Sequence, residues 1–499
     1  MIGLKGSLNI FSSKPVQLKS FLAYTIPPME DESQINWKER YFQLLERVAV
    51  LEARIAVLEA ENLVLKTENR DLREKLNTSS GNSSKPPSQD PFRPKRDSKP
   101  SGRKQGGQPG HPGHNRTLVP PDQVAKMVDL FPSSCPNCAS TKLDPKAISI
   151  ECRQVVELPE IKPDVTQYNI HTCRCEKCGK HVRADVPIEA ERGFGPRLMG
   201  FLTMLAGEGP LSKRKVCSIT GYLGVKISLG GLCNIHKLAT TLLEKPFEEV
   251  KEVVLSAENM NSDETSWSLR ARRCWVWTGA SPNATFFQID SSRSQEAFKR
   301  VFGKFKNTLT SDRYGAYNLY EGKKQACLAH ILRDFTKMSE RSGADGAIGR
   351  ILLGEVKEVF GHWKKFKNGE LTRIELQEAA KNHIENTKDA LNVGASAEQI
   401  GNKSQALCCD LLNRFPTLWT FLEQEGVEPT NNLAERGLRP FVIARKLSNG
   451  SQSEWGTKFS ERVMTVVCTL KQRAENVFEY LTRVFFARLE KGPAPPIFG

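Results

Sequence analysis

The stretch Asn259-Met-Asn-Ser-Asp263-Glu264-Thr265-Ser-Trp267-Ser-Leu269 decides how the chain is read. Upstream, Val250 to Leu255 carries the apolar run Val253-Val254-Leu255; downstream, Cys274-Trp-Val-Trp-Thr and Thr285-Phe-Phe-Gln-Ile289 alternate as strands do. The pattern predicts that Asp263 closes a buried strand, a position from which an acid can serve as a metal ligand. A second acid has the same setting in Thr308-Leu-Thr-Ser-Asp312-Arg-Tyr314-Gly-Ala-Tyr317, a short strand running into a turn. The third lies in Glu428-Pro-Thr-Asn431-Asn432-Leu-Ala-Glu435-Arg436-Gly-Leu438-Arg439-Pro440, which reads as a capped short helix stopped by proline. Two carboxylates at neighbouring strand ends and one on a helix offer enough oxygens for a pair of Mg²⁺ ions.

Each acid also has a plainer reading. Asp263 could cap the following turn, and Asp312 could form an Asx-turn before Gly315. With Asn432 as N-cap, Glu435 would occupy N3 of a capping box. Glu264 and Asp290 are the alternative acids.

Taken together, Asp263-Glu-Thr, Ser311-Asp312-Arg-Tyr-Gly-Ala-Tyr317, Cys327-Leu-Ala-His330 with Arg333, and Asn431-Asn-Leu-Ala-Glu435-Arg with Leu438-Arg-Pro440 resemble, in content and order, the signature blocks of bacterial transposases of the insertion-sequence 66 family. The resemblance spans most of the chain from about residue 40 and is sharpest at the three acid blocks. It implies a DDE-type enzyme with a ribonuclease-H-like mixed-sheet core at 250–490, interrupted by a helical insertion at about 322–428. Asp263, Asp312 and Glu435 would then be the catalytic ligands of Mg²⁺ or Mn²⁺. Such an enzyme binds transposon ends, cleaves them and transfers the strands to target DNA, with helper proteins encoded by the same element.

The remaining sequence is consistent with a multidomain α/β chain. Its 499 residues exceed what one core serves, and 72 Lys and Arg against 57 Asp and Glu leave a net charge of +15, which favours a polyanionic partner. No apolar run is long enough to cross a membrane. Thirteen cysteines, several in C-x-x-C pairs, favour reduced thiols and zinc over a disulfide framework, and with it a cytoplasmic chain associated with the nucleoid when bound to DNA.

Residues 1–38 read as a disordered leader. From 39 to 78 a heptad places Leu44, Leu51, Leu58, Leu65 and Leu72 at d, and Tyr41, Val48, Ile55, Asn62, Asn69 and Leu76 at a, predicting a coiled coil that pairs subunits into a homodimer or larger assembly. Residues 79–116 form a basic linker too polar to bury a core, with Lys95, Arg96, Arg103 and Lys104 as candidate phosphate contacts.

Within 117–192, Cys135-Pro-Asn-Cys138 and Cys175-Glu-Lys-Cys178-Gly179 predict a small β-rich module holding structural Zn²⁺, its strands expected in Ile148 to Leu158 and Val165 to His171. His171 or Cys173 could replace one ligand. Residues 193–249 are helical. They form either a helix-turn-helix with Lys213, Arg214 and Lys215 near phosphate or a plain connector, and Gly230-Gly231 weakens the first option.

Beyond the acids, Arg436, Arg439, Arg445 and Lys446 are candidate DNA contacts, and Cys327, His330 and Asn432 are possible auxiliary site residues. Trp267, Trp275, Trp277, Phe286 and Phe287 should fill the core, and a single helix at about 460–489 should close it. Two rival functions remain: a ribonuclease-H-like nuclease that cleaves without joining, and a zinc-dependent DNA-binding regulator with an inactive core.

Overall fold

The computed structural model describes residues 36–79, 82–83, 117–144, 149–191, 193–209 and 211–499. The leader through residue 35 and the tract 84–116, with Lys95, Arg96, Arg103 and Lys104, lie outside the described residues. The chain divides into two compact units, Met1–Thr78 and Ser79–Gly499.

In the first unit, α1 (Trp37–Asn77) is one continuous helix of 41 residues, opened by Asn36, whose side chain accepts from the Glu39 N–H. None of its residues is buried. The heptad leucines from Leu44 to Leu72 are all exposed, so nothing among the described residues of the unit covers this apolar stripe.

The second unit contains the antiparallel pair β1 (Thr172–Arg174) and β2 (His181–Arg183). The longer strands expected at 148–158 and 165–171 are not formed among the described residues. Ile150, Val155, Val156, Leu158 and Val165 are exposed, because alternation makes a strand only where a partner strand and a surface exist to bury one face.

Four helices follow: α2 (Pro196–Glu208), α3 (Lys213–Tyr222), α4 (Leu229–Leu242) and α5 (Glu244–Ser256). Ser212 and Ser228 cap α3 and α4 by accepting from the Lys215 and Gly231 N–H groups. The run Val250 to Leu255 belongs to α5 and is not a strand. Phe247, Val250 and Val254 recur at helical spacing and, with Pro246, are its buried side chains, so periodicity overrides β-branching.

The sheet comprises β3 (Asn259–Leu269), β4 (Arg272–Ser281), β5 (Ala284–Asp290), β6 (Thr308–Ser311) and β7 (Lys324–Ala326), with α6 (Gln295–Phe302) between β5 and β6. Its order is β5-β4-β3-β6-β7. The first three strands form an antiparallel meander, whereas β6 runs parallel to β3 and β7 parallel to β6. Asp263 therefore lies inside an eleven-residue strand, not at its end.

One face of the sheet buries Met260, Trp277, Phe286 and Leu309 against α6 and the helices α2, α4 and α5. The helices of 193–249 thus share a core with the sheet. The opposite face buries Trp267, Val276 and Phe287 against Leu438 and Phe441. Trp275 is only half-buried, beneath the guanidinium groups of Arg273 and Arg293.

After β7 come α7 (Leu328–Ser339), α8 (Gly343–Lys367), α9 (Arg373–Ser396), α10 (Asn402–Asn413) and the short α11 (Thr420–Glu423). They enclose a second core containing Phe335, Leu352, Val359, Leu391 and Leu411. The helical insertion expected from about 322 therefore begins after a fifth strand.

The chain returns through α12 (Asn432–Ser448), which passes through Pro440 and does not stop there. Proline frees the carbonyl four residues earlier, that of exposed Arg436, where water can satisfy it. The single closing helix is two, α13 (Glu454–Gln472) and α14 (Val477–Leu489), broken at Ala474, which has a φ of 57°.

Candidate active site

Register brings the first two acids together. In the parallel ladder Asn259 pairs with Thr308 and Asn261 with Thr310, an offset of 49 residues. The same offset separates Asp263 from Asp312, so continuing the ladder sets them level. Asp312 follows the last residue of β6, and its Oδ1 accepts from the Tyr314 N–H at 2.9 Å, the Asx-turn foreseen as its plainer role. That bond leaves the other carboxylate oxygen available.

Alternation along β3 decides what Asp263 faces. Its odd-numbered neighbours bind the returning helix: Asn261 Nδ2 donates to Asn431 Oδ1 at 3.2 Å, Thr265 Oγ1 accepts from Arg445 Nη1 at 3.1 Å, and Trp267 packs edge-on against Phe441. Asp263 lies between the first two, under the start of α12. Glu264 points the other way, where it is enclosed with Arg293 and accepts a hydrogen bond from the Tyr317 hydroxyl. Asp290 is likewise engaged, by Arg300. Both alternative acids have structural partners.

Glu435 sits in the first turn of α12, at the helix end whose free N–H groups favour a carboxylate. The N-cap is Asn431 and not Asn432, and no capping box forms. Asn431 is wholly buried: its Nδ2 donates to the Ser262 carbonyl at 2.8 Å and its N–H to Cys327 Sγ at 3.2 Å. It thereby ties the helix to β3 just before Asp263. Asn432 is exposed. The sequence singled out Asn432 as the auxiliary residue, but it is Asn431 that lies inside.

Cys327 N-caps α7 and is anchored by its N–H to the Ser311 carbonyl at 2.9 Å; His330 follows one turn later. With Glu435 they are a group of three potential metal ligands among the described residues. Arg313, which the sequence reading gave no role, bridges Asp334 of α7 and Asp410 of α10, joining the second core to the turn that carries Asp312. A motif position flanking an acid was the only signal for it.

The other candidates are placed as follows. Arg436, Arg439 and Lys446 are exposed on α12 and form no ion pair among the described residues. Arg445 instead donates to Thr265 and to the Ser266 carbonyl at 2.8 Å, so it fastens the helix to the sheet and is not free for phosphate. Lys213, Arg214 and Lys215 are exposed in the first turn of α3, with Lys213 Nζ 4.9 Å from the Trp455 ring centroid. Gly230 and Gly231 fall in the first turn of α4.

Cys135 and Cys138 occupy one tight turn, Cys175 and Cys178 another, and the two have the same backbone pattern. Ala139 and Gly179 return their N–H groups to the Cys135 and Cys175 carbonyls, each with positive φ. N–H groups of Asn137 and Cys138 lower the Cys135 thiol pKa, and Cys178 does the same for Cys175. Each pair therefore fits as half of a thiolate metal site. Among the described residues, no group of three joins the two pairs.

Burial, followed by the charges of Glu264, Asp312 and Glu435, holds the Asp263 carboxyl well above the usual carboxylate range. Glu435 Oε1 is buried without a hydrogen-bond partner. The three acids are near enough for Asp312 and Glu435 to act on Asp263, but among the described residues their oxygens do not all lie within 4.8 Å of one another, so a shared divalent cation would have to draw them closer.

A stability signature follows from these shifts. Burial also raises Glu264 and pushes Glu461, which accepts from the Ile289 N–H, up to about 7. An acid whose folded pKa is raised contributes stability that is complete below its unfolded value and lost as pH rises through the folded one. In EDTA, melting temperature should fall across about pH 5 to 8. Mg²⁺ should offset the Asp263 share, and Asp263→Asn should flatten the slope and abolish the Mg²⁺ effect. Equal slopes in variant and wild type would contradict this assignment.

The profile of the Transposase IS66 family matches residues 201–459, which contain all three acids, Cys327, His330 and Asn431. The chain belongs to that family. Membership makes it a transposase, a DNA-processing enzyme with DNA as partner and divalent metal as the expected aid. A separate family of unknown function (DUF6444) matches residues 31–117, covering α1 and the basic tract. Two relatives come from Sinorhizobium fredii (strain NBRC 101917 / NGR234). The uncharacterized protein y4hP is 24% identical over 400 residues, covering 70% of this chain and 70% of its own. The uncharacterized protein y4qI is 24% identical over 319 residues, covering 58% of this chain and 55% of its own. Among the described residues, no helix is long and apolar enough to cross a membrane.

Proposed function

We propose that this IS66 transposase is a DDE-type enzyme that binds its transposon ends, cleaves them with Mg²⁺ or Mn²⁺ and joins the freed 3′ ends to target DNA, acting in the cytoplasm at the nucleoid. Asp263, Asp312 and Glu435 are its metal ligands. The observation that carries this reading is the shared electrostatic environment of the three acids, with Glu435 Oε1 unmatched among them. The meander followed by two parallel strands supports a ribonuclease-H-like core.

Bound divalent ions would activate the attacking oxygen and neutralise the leaving one. The chain's own part is positional. Three acceptor-only carboxylates stand on a strand, a strand end and a clamped helix, and no side chain need form a covalent intermediate. Arg436, Arg439 and Lys446, exposed on α12 and without an ion pair among the described residues, are placed to hold phosphates beside Glu435. Lys213, Arg214 and Lys215 offer a second basic edge.

The deciding experiment supplies pre-cut ends bearing a 3′-hydroxyl, a target plasmid and Mg²⁺. Joined product is expected. Cleavage of uncut ends without joining would leave a nuclease, and DNA binding without either reaction would leave a regulator with an inactive core.

The uncovered leucine stripe of α1 supports pairing of two or more chains through a coiled coil. Deleting residues 1–78 should convert the assembly to monomers in light scattering; an unchanged mass would place the interface elsewhere. The two cysteine turns support one shared Zn²⁺, which predicts that Cys138→Ser lowers bound zinc by one equivalent per chain.

A further inference from the structure

Cys327 Sγ, a ring nitrogen of His330 and a carboxylate oxygen of Glu435 all lie within 4.8 Å of one another, at the meeting of the first turns of α7 and α12. His330 Nε2 stands 3.9 Å from Glu435 Oε1, too far for a hydrogen bond. Neither Glu435 Oε1 nor His330 Nδ1 has any hydrogen-bond partner, although both atoms are buried. Buried polar atoms ordinarily find partners, so two orphans on adjoining side chains call for an explanation.

The spacing supplies one. Ligands about 2.0 to 2.3 Å from a tetrahedral ion lie roughly 3.3 to 3.8 Å from each other, so the three donors need to close by less than about 1.5 Å to share one cation. We infer that Cys327, His330 and Glu435 form a seat for a borderline-soft divalent cation of the zinc class, distinct from the cysteine turns. Thiolate, imidazole and carboxylate together select such an ion, whereas Mg²⁺ prefers oxygen alone. The Asn431 N–H directed at Cys327 Sγ gives the sulfur the kind of supporting hydrogen bond that orients metal ligands. Cys327 and His330, three residues apart on one helix start, present both donors on one side.

The inference rests on the proposed catalytic role of Glu435 only for its consequence: an ion seated here takes Glu435 Oε1 away from the Asp263 and Asp312 carboxylates. Zinc would then hold the transposase inactive until it is withdrawn or displaced.

The test counts metal and needs neither DNA nor turnover, so it is independent of the transposase mechanism. Untagged full-length protein is equilibrated with Zn²⁺, desalted and analysed by elemental mass spectrometry. Wild type should hold one zinc per chain more than Cys327→Ser, and His330→Gln should show the same deficit. Asp263→Asn should keep the full count, which separates this seat from the three-acid site. Loading with Co²⁺ should add a thiolate charge-transfer band that Cys327→Ser lacks. Should Cys327→Ser fail to fold, His330→Gln carries the comparison. Equal zinc in wild type and either folded variant overturns the inference, even if Mg²⁺-dependent joining is observed.

Discussion

Asp263→Asn should reduce Mg²⁺-dependent nicking and joining by about a thousandfold or more, since the metal contribution to such displacements amounts to several kcal/mol and each 1.4 kcal/mol is about tenfold. The substitution is nearly isosteric and removes only charge. It also removes the buried charge whose desolvation, and then its repulsion by neighbouring acids, raises the Asp263 pKa, so metal-free protein should fold at least as stably as wild type. DNA affinity should remain within about threefold, because phosphates are met by basic side chains elsewhere. The informative contrast is Glu264→Gln. Glu264 is the adjacent acid, but it faces the opposite core and is bound by Arg293 and the Tyr317 hydroxyl. Weakening that buried pair should lower the melting temperature while leaving the response to Mg²⁺ in place. If Glu264→Gln abolished cleavage and Asp263→Asn did not, the alternation that puts Asp263 beneath α12 would be misassigned. Product formation would be followed with end-labelled transposon DNA and affinity by mobility shift.

Much of the site could be read from sequence because its chemistry depends on residue types at fixed intervals. An acid on a strand before Leu269 and a second after Thr308 to Ser311 were both visible, although the first was expected at a strand end and lies inside β3, and the 49 residues between Asp263 and Asp312 are the ladder offset itself. What could not be read was decided by neighbours distant in sequence. Val253-Val254-Leu255 has the composition of a strand, but the fully buried side chains of the segment are Pro246, Phe247, Val250 and Val254, at helical spacing, with Val253 and Leu255 only partly covered. Arg445 follows the third acid as a phosphate-binding residue would, but the β3 backbone claims it. Pro440 promised a helix end at a point where the helix's exposed side tolerates the lost bond. The Asn431-Asn432 pair hid a one-residue ambiguity, and only burial against Ser262 and Cys327 resolves it. The expected strands before Thr172 failed for the same reason: among the described residues their apolar side chains find no surface to bury them and stay exposed. The two cysteine turns, by contrast, were recognisable because their pattern is local.

Asn431→Ala should be the most damaging change outside the acids. Its side chain makes two hydrogen bonds in a fully buried position, to the Ser262 carbonyl and from Asn261 Nδ2. Truncation leaves both groups without those partners, and stranded buried polar groups cost about 1–3 kcal/mol each. The expected loss is therefore about 2–4 kcal/mol, which for a domain of this size lowers the melting temperature by roughly 5–15 °C. Activity should fall further than stability alone explains. Asn431 is the residue from which α12 starts, and Glu435 stands four positions on, its N–H bonded to the Asn431 carbonyl at 3.1 Å. Loosening that start allows the third carboxylate to drift from the two on the sheet. An error of about 1 Å in a catalytic group can cost about a hundredfold. The signature separating misplacement from unfolding is the metal requirement: well below its melting temperature the variant should need more Mg²⁺ for half-maximal joining than wild type. An unchanged Mg²⁺ requirement in folded Asn431→Ala would mean that Glu435 is held by the rest of α12, with Arg445 as its anchor, and not by this clamp.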